Sequence, residues 1–525
     1  MRASVLLFAT TALFVSACGD DAAETDNTAD GNAADTSVDA EGSDAAADTV
    51  APDVVDAEGS DDASDAATDD AEGSDAAADA EADVSPPPEY VREYPDTAEF
   101  AAPEGKRWAR SIVHLHSTHS HDACDDEPRP DGQYNQPCIE SLRMALCDIH
   151  MDVAYLTDHP THMTEVPFVD LLLHAEGSGD ELLIDELERP YANWLTCDDG
   201  HRVLLRAGSE DSLMPIGLHG HVAETQEERQ RIQNERTEES ANIMRSVGAL
   251  VWQAHCEQRE YENLSEFELD GMEIYQLHAN IAPNIREEFL GLDPVGVFTE
   301  LYDILTGRSP LPPDLAFLIF VDENRPSLNR WAALLQTQEI TGTGGTDAHE
   351  NTFPNIASDN ERVDSYRRMM SWFANYLLVD GDLTPESAHE ALDRGRVAVV
   401  FDVLGAMDGF DAAAYVGDVR YEMGATTTWA EGTELRFVVP AMTGPTGIAA
   451  NIQGIVYRGE GESWVQVGDR VGVGAHTVAI DEPGVYRVEL RTTGEHLAPF
   501  FTRYEYLIER EYVWIYSNAW RLLAD

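Results

Sequence analysis

The sequence predicts an α/β protein with its chemistry at the ends of its strands. Three observations carry that reading. Five short apolar runs each end in His, Asp or Glu, helical patterns lie between them, and beyond about residue 405 short alternating runs are broken by Gly and Pro. Strands alternating with helices argue for a parallel sheet. The later texture argues for a small antiparallel β-sandwich-like domain.

The chain has 525 residues and a formal charge of -66. About 24 of its acids lie between Gly19 and Glu89, where there is no Lys or Arg, and the remainder is still about -42. Such a balance excludes nucleic acid as a partner, because phosphate backbones demand a basic footprint. Residues 1–17 read as a signal peptide: Met1-Arg2 is basic and Val5 to Val15 is apolar but too short to span a bilayer. Val15-Ser16-Ala17-Cys18 resembles a bacterial lipobox, which implies cleavage before Cys18, lipid on Cys18 and an extracytoplasmic location. An ordinary secretory signal is the alternative. Residues 18–90 are low in complexity, with Asp-Ala-Glu-Gly-Ser-Asp at 39–44, 56–61 and 70–75. No core can form from so few apolar groups, so the segment is expected to be a disordered acidic tether.

The large domain is placed at roughly 105–400. Its strand-plus-ligand segments are 110–122, 151–160, 203–210, 249–255 and 340–349, and apolar runs at 271–276 and 315–321 read as further strands. Helices are expected from Ile139 to Asp148, from Thr225 to Val247, from Leu328 to Gln336 and from Glu361 to Val379, with another capped at Thr384-Pro385-Glu386. Alternate residues on a strand share a face, so His114 and His116 point one way and Val113 and Leu115 the other. Two converging imidazoles suit zinc, manganese or iron. In barrels of alternating strands and helices the reacting groups lie at the C-terminal strand ends, where all five clusters fall. A His-rich surface loop is the bland alternative for 114–121.

In order, HLHSTHSHD, LTDHP, GSE, GHV, QAHC and GTDAH resemble the motifs of the PHP (polymerase and histidinol phosphatase) metallohydrolases, most closely the CehA/McbA-type branch. The resemblance implies a distorted seven-stranded (β/α)7 barrel holding three divalent ions. It implies metal ligation by His114, His116, His121, His159, Glu210, His221, His255, Asp347 and His349, with Asp122 and His219 as alternates for His121 and His221. Glu210 would bridge two ions and Asp158 would support His159, the two being the catalytic carboxylates. The implied activity is hydrolysis of a small-molecule phosphoester. Carbamate or carboxylic ester hydrolysis at the same site is a rival, and a non-catalytic metal-binding surface protein is a second. The membrane would be met through the lipid anchor alone.

Glu273 reads equally as an acid supporting the site or as a rim charge. Arg325 and Arg330 read as salt-bridge partners, or as holders of an anionic group. Gly342-Thr343-Gly344-Gly345 lacks the Lys-Ser/Thr ending of a phosphate loop, so a tight turn placing Asp347 is expected. Cys124 and Cys138 bracket an Asp-, Pro- and Gly-rich loop that a disulfide would tie, Cys147 with Cys197 is a second candidate pair, and Cys256 is the odd one. From 405 to 525, strands are expected at 434–440, 452–457, 484–491 and 511–517. The aromatic ending with Ser517-Asn518 resembles the tail that follows many barrels of the same family.

Overall fold

The computed structural model describes residues 90–294, 301–304 and 306–525. The signal peptide, Cys18 and all of the tether but its last residue lie outside the described residues. The described chain is a mixed α/β structure with one large sheet and one small antiparallel sheet.

The large sheet begins with β1 (Lys106–Ile112), β2 (Val153–Leu156), β3 (Glu181–Ile184), β4 (Pro190–Thr196) and β5 (Arg202–Gly208). It continues through β6 (Met214–Leu218), β7 (Leu250–Gln253), β8 (Gly271–Gln276), β9 (Thr341–Gly345), β10 (Ala374–Asp380) and β11 (Val397–Val400). The pairs β1–β2, β2–β5, β7–β8 and β8–β9 are parallel. Residues 153–156, 250–253 and 271–276 are buried along their whole length, as strands covered on both faces are. Two departures matter. β6 runs antiparallel between β5 and β7, and β10 runs antiparallel to β1.

Along the outer edge of β9, side-chain amides take the place of a neighbouring strand. Asn375, on β10, accepts from the Gly344 N–H at 2.8 Å and donates to its carbonyl at 2.8 Å. Asn518 does the same for Gly342, at 2.7 and 2.8 Å. Both backbone pairs are thereby satisfied on the side where, among the described residues, β9 pairs with no strand. Close approach also explains Gly271, whose Cβ would fall 2.0 Å from the Trp252 ring.

Helices form where caps start them. Asn135, Thr225, Thr237 and Thr384 accept from backbone N–H groups at the starts of Gln136–Asp148, Gln226–Asn234, Glu238–Ser246 and Pro385–Asp393. The expected single helix over 225–247 is therefore two, because Thr237 is extended and opens a new helix. The run 315–321 is not a strand. It holds a helical turn, Phe317–Phe320, buried on every side, and full burial leaves no period to separate a strand from a helix. The expected helix over 361–379 is a short helix, Tyr366–Ser371, followed by β10. There too, burial all round erased the period.

The C-terminal region adds β12 (Asp411–Val416), β13 (Val419–Glu422), β14 (Thr426–Thr428), β15 (Glu434–Val439) and β16 (Ile452–Gly459). After these come β17 (Trp464–Val471), β18 (Gly474–Ala479), β19 (Gly484–Thr493), β20 (Glu511–Ser517) and β21 (Trp520–Leu523). Strands β13, β12, β15 and β18 form the small sheet. The other six extend the large sheet through the β11–β20 pairing. The aromatic ending docks in this way: Trp514, Ile515 and Trp520 are fully buried.

Candidate metal centre

The strand ends converge. His114 and His116, just past β1, are laid beside the segment after β9. Leu115 bridges Ala348, Asp347 N–H donates to the His114 carbonyl and His116 N–H to that of Ala348. Residues more than 230 positions apart thus share one hydrogen-bonded seam.

Around this seam lie four overlapping groups of potential ligands: His116, Asp122, His159 and His349; His114, His116 and Asp347; His114, Glu210 and His255; His255, His278 and Asp347. Within each, the donor atoms lie within 4.8 Å of one another. Asp347 belongs to two groups that use its two oxygens. Its Oδ1 is 3.2 Å from Nε2 of both His114 and His116. Its Oδ2 is 3.0 Å from His278 Nδ1 and 3.5 Å from His255 Nε2. Glu210 serves one group. Its Oε1 faces His255 Nε2 at 3.5 Å, and its Oε2 lies 3.2 Å from His159 Nδ1. Asp122 Oδ2 is 3.2 Å from His349 Nε2 and 3.6 Å from His159 Nε2. His114 and His116 are fully buried and form the floor. The Asp122 and His278 side chains, each 29% exposed, form the open side.

Further side chains aim these groups. Glu273, buried on β8, accepts from His114 Nδ1 at 2.7 Å and from the His255 N–H at 2.9 Å. This leaves His114 Nε2 facing the cluster, as a supported ligand histidine requires. Glu257, also buried, lies 3.7 Å from His255 Nδ1 and accepts from Asn324 at 2.9 Å. Asp158 is not in the cluster. It accepts from Ser117 N–H at 2.6 Å and Ser117 Oγ at 2.9 Å, and so pins the turn after His116. His255 and Asp347 are held at positive φ, 49° and 54°, a strained backbone that the surrounding packing must fix.

Among the described residues, no Lys or Arg reaches Asp122, Glu210 or Asp347 within 4.0 Å; imidazoles are their only basic neighbours. The electrostatics follow. Burial opposes charge on His114, but Glu273 and Asp347 raise its pKa well above the usual value. Burial likewise opposes charge on His159, yet Glu210 and Asp122 raise it to about 10. Burial and the neighbouring His349 lower His116 well below the ordinary range. Burial works against the Asp347 carboxylate, but His114 and His349 hold its pKa well below normal. Burial raises Asp158 to about 6, against the pull of Ser117.

Several expected ligands stand elsewhere. His121 is carried outward by the turn that Ser120 N–H closes onto the Ser117 carbonyl. Its ring is 41% exposed and its Nδ1 is 3.9 Å from Asp122, so Asp122 occupies the inward position. His221 does not join the cluster either: its Nε2 donates to the Val166 carbonyl at 2.8 Å and its ring meets Phe168. His219 packs on Tyr191. The reason is β6, which runs antiparallel and ends away from Glu210 and His255. Arg206 donates to the Gly217 carbonyl and is no partner of Glu210. His278 went unnoticed in the sequence. The available signal was position, since it follows the apolar strand β8 by two residues, as His114 follows β1. Cys256 is buried and its thiol meets the Gln253 carbonyl, while Cys124–Cys138 and Cys147–Cys197 are disulfides.

No protein-family model matches the chain, and none of the curated proteins does. Two solved structures share part of its course. A two-domain protein from Bacteroides vulgatus ATCC 8482, containing a predicted PHP-like metal-dependent phosphoesterase, aligns over 81% of this chain and 99% of its own, with 12% identity and a TM-score of 0.28. PsfC from Pseudomonas syringae PB-5123 aligns over 56% of this chain and 91% of its own, with 12% identity and a TM-score of 0.31.

Proposed function

We propose that the chain is a metal-dependent hydrolase of small-molecule phosphoesters, built on a distorted PHP-type barrel. One observation carries this reading: six imidazoles and three carboxylates from separate strand ends converge in overlapping groups of ligand size. The donor set fits divalent ions. Nitrogen and carboxylate oxygen suit zinc, manganese or iron. The three carboxylates have only histidines to balance them, so cations would replace protons on the imidazoles. One imidazole nitrogen binds one ion, so the groups would divide as His116, Asp122, His159 and His349 for one ion, His114 beside Glu210 and Asp347 Oδ1 for a second, and His255 and His278 with Asp347 Oδ2 for a third. Asp347 is the best-placed shared carboxylate, which departs from the bridging role expected of Glu210. His121 and His221 are left out of the set, and His278 is added.

When bound, such ions supply Lewis acidity and lower the pKa of water at the site. The chain's own residues do the rest. Glu273 fixes the His114 imidazole and the His255 backbone, Asp158 fixes the Ser117 turn, and the open side at Asp122 and His278 admits an ester. The β9 edge, held by Asn375 and Asn518, supports the barrel. The two disulfides support an oxidising compartment, in line with a protein lipidated at Cys18 and held outside the cytoplasm at the end of an acidic tether. Among the described residues no helix is long and apolar enough to cross a membrane.

The test is metal analysis of purified protein with turnover of p-nitrophenyl phosphate, bis-p-nitrophenyl phosphate and a naphthyl carbamate. Metal with phosphoester turnover, both reduced in Asp347→Asn, is expected. Turnover of the carbamate alone would move the reaction to ester hydrolysis. Bound metal with no turnover would make the chain a metal-binding surface protein. Palmitate labelling that is lost in Cys18→Ala is expected of the anchor, and equal labelling would refute it.

A further inference from the structure

The chain just beyond Asp122 is strained. Cys124, Asp125 and Asp126 have φ of 60°, 58° and 60°. Residues other than glycine rarely enter this left-handed region, and then singly. Three in a row persist only where the surroundings fix them. Two successive N–H groups of this turn reach two successive carbonyls: Cys124 donates to His349 at 2.9 Å and Asp125 to Glu350 at 3.1 Å. Asn351 Nδ2 donates to the Asp122 carbonyl at 2.8 Å. The segments that supply Asp122 and His349 are thus zipped together. Ser120 Oγ occupies Asp122 Oδ1 at 2.9 Å, and Oδ2 is left to face His349 Nε2 at 3.2 Å.

One side chain grips both segments. Arg362 donates from Nη1 and Nη2 to the two oxygens of Asp125, each at 2.6 Å, and from Nη2 to the Glu350 carbonyl at 2.9 Å. Its Nε donates to Asp364. That carboxylate is buried and accepts from the Thr352 and Phe353 N–H groups at 2.6 Å. The Cys124–Cys138 disulfide and the Tyr366 hydroxyl, 3.1 Å from the His349 carbonyl, pin the same place.

We propose that Arg362 is a positioning residue of the metal centre: through Asp125 and the Glu350 carbonyl it holds the 124–126 turn in its strained form, and so sets the approach of Asp122 to His349. This rests on the metal-dependent reading above. A guanidinium suits the task, because its planar fork takes both Asp125 oxygens and still has donors for a carbonyl and a second carboxylate. An ammonium is a point charge and cannot span them. The sign of the effect separates positioning from electrostatics. Arg362 is a cation beside a centre that would hold cations, so by charge alone its removal tightens metal binding. If it positions Asp122 and His349, its removal loosens that binding instead.

The test is stepwise competition for zinc between a chelator and the full chain, in the wild type, Asp122→Asn, Arg362→Gln and Arg362→Lys, with circular dichroism to confirm the fold. Asp122→Asn should lose one zinc equivalent. Arg362→Gln should weaken that same equivalent about tenfold, as loss of an outer support of a metal site does, and leave the others unchanged. Arg362→Lys, which keeps the charge but not the fork, should weaken it too, and carries the test if the Gln variant does not fold. Three results would overturn the proposal: unchanged or tighter zinc in Arg362→Gln while Asp122→Asn loses its equivalent, equal weakening of every equivalent, or wild-type affinity in Arg362→Lys. A wild type that binds no zinc, manganese or iron would overturn the metal-dependent reading, and this proposal with it.

Discussion

Glu273 offers the sharpest test of how the cluster is held. Its two oxygens face two donors, His114 Nδ1 at 2.7 Å and the His255 N–H at 2.9 Å. Glu273→Gln preserves shape but supplies only one acceptor atom. If the new amide group faces His114, the imidazole must move its proton to Nε2, and the lone pair aimed at the cluster is lost. If it faces His255, a buried backbone donor is left unpaired, at about 1–3 kcal/mol. Removing an outer partner of a metal-bound histidine typically costs about 10–100-fold in metal affinity, or about 1.4–2.7 kcal/mol. The assay is chelator competition with zinc at fixed pH, with circular dichroism to confirm the fold. Gly345→Ala tests the same contact from the other side, because its Cβ would fall 1.8 Å from Glu273 Oε1. Both variants should lose affinity. A Glu273→Gln protein with zinc affinity within twofold of the wild type would refute the reasoning. Loss in Gly345→Ala alone would assign the effect to crowding.

Asn518→Leu should leave the Gly342 N–H and C=O unpaired, costing about 2–6 kcal/mol at about 1–3 kcal/mol per buried group; urea unfolding checks it, and a shift below about 1 kcal/mol would show that the edge of β9 finds other partners. Asp158 has its folded pKa raised from 3.8 to about 6 by burial. Below the unfolded pKa both states bind the proton and nothing is lost, whereas above about 6 the buried charge destabilises the fold. Asp158→Asn, which keeps both Ser117 contacts, should therefore gain stability relative to wild type as pH rises from 4 to 6, and parallel pH profiles of the two proteins would contradict this. The disulfides close loops with sequence separations of 14 and 50, for which chain entropy gives about 3 and about 4 kcal/mol. The Cys147→Ser/Cys197→Ser pair should thus destabilise more than Cys124→Ser/Cys138→Ser in denaturant melts, and the reverse order would point to strain or residual structure instead.

Parts of the site were legible because they are local. His114 and His116 are two positions apart, as are Asp347 and His349, and along the extended chain at 114–116 that spacing gives a shared direction. The choice between His121 and Asp122 was not legible, because it turns on a hydrogen bond between Ser120 and Ser117 that no spacing announces. His221 was misplaced for a topological reason. An apolar strand looks the same whether it runs with its neighbours or against them, and β6 runs against. His278 and Glu273 sit on and after β8 without any motif around them, and only the assembled sheet reveals what they face. The same limit explains 315–321 and 361–379, where burial on all sides removed the alternation that separates strand from helix.

The glycine run after Ile340 shows how sequence and site connect. A tight turn was expected there in place of a phosphate loop, yet the run is extended: it forms β9 and is packed from both faces. A Cβ at Gly342 would lie 2.9 Å from Ile274, at Gly344 3.0 Å from Phe373 and at Gly345 1.8 Å from Glu273. Small residues are needed there because the strand must sit close to β8 on one side and accept the amides of Asn375 and Asn518 on the other. That placement sets where the next residues emerge. Thr346 Oγ1 reaches the His114 carbonyl at 2.7 Å, and Asp347 turns at positive φ to present one oxygen to each of two histidine pairs. The shared carboxylate of the cluster is thus aimed by backbone packing several residues upstream. The Ser517-Asn518 ending, far away in sequence, is part of the same device because it holds the edge from which Asp347 projects.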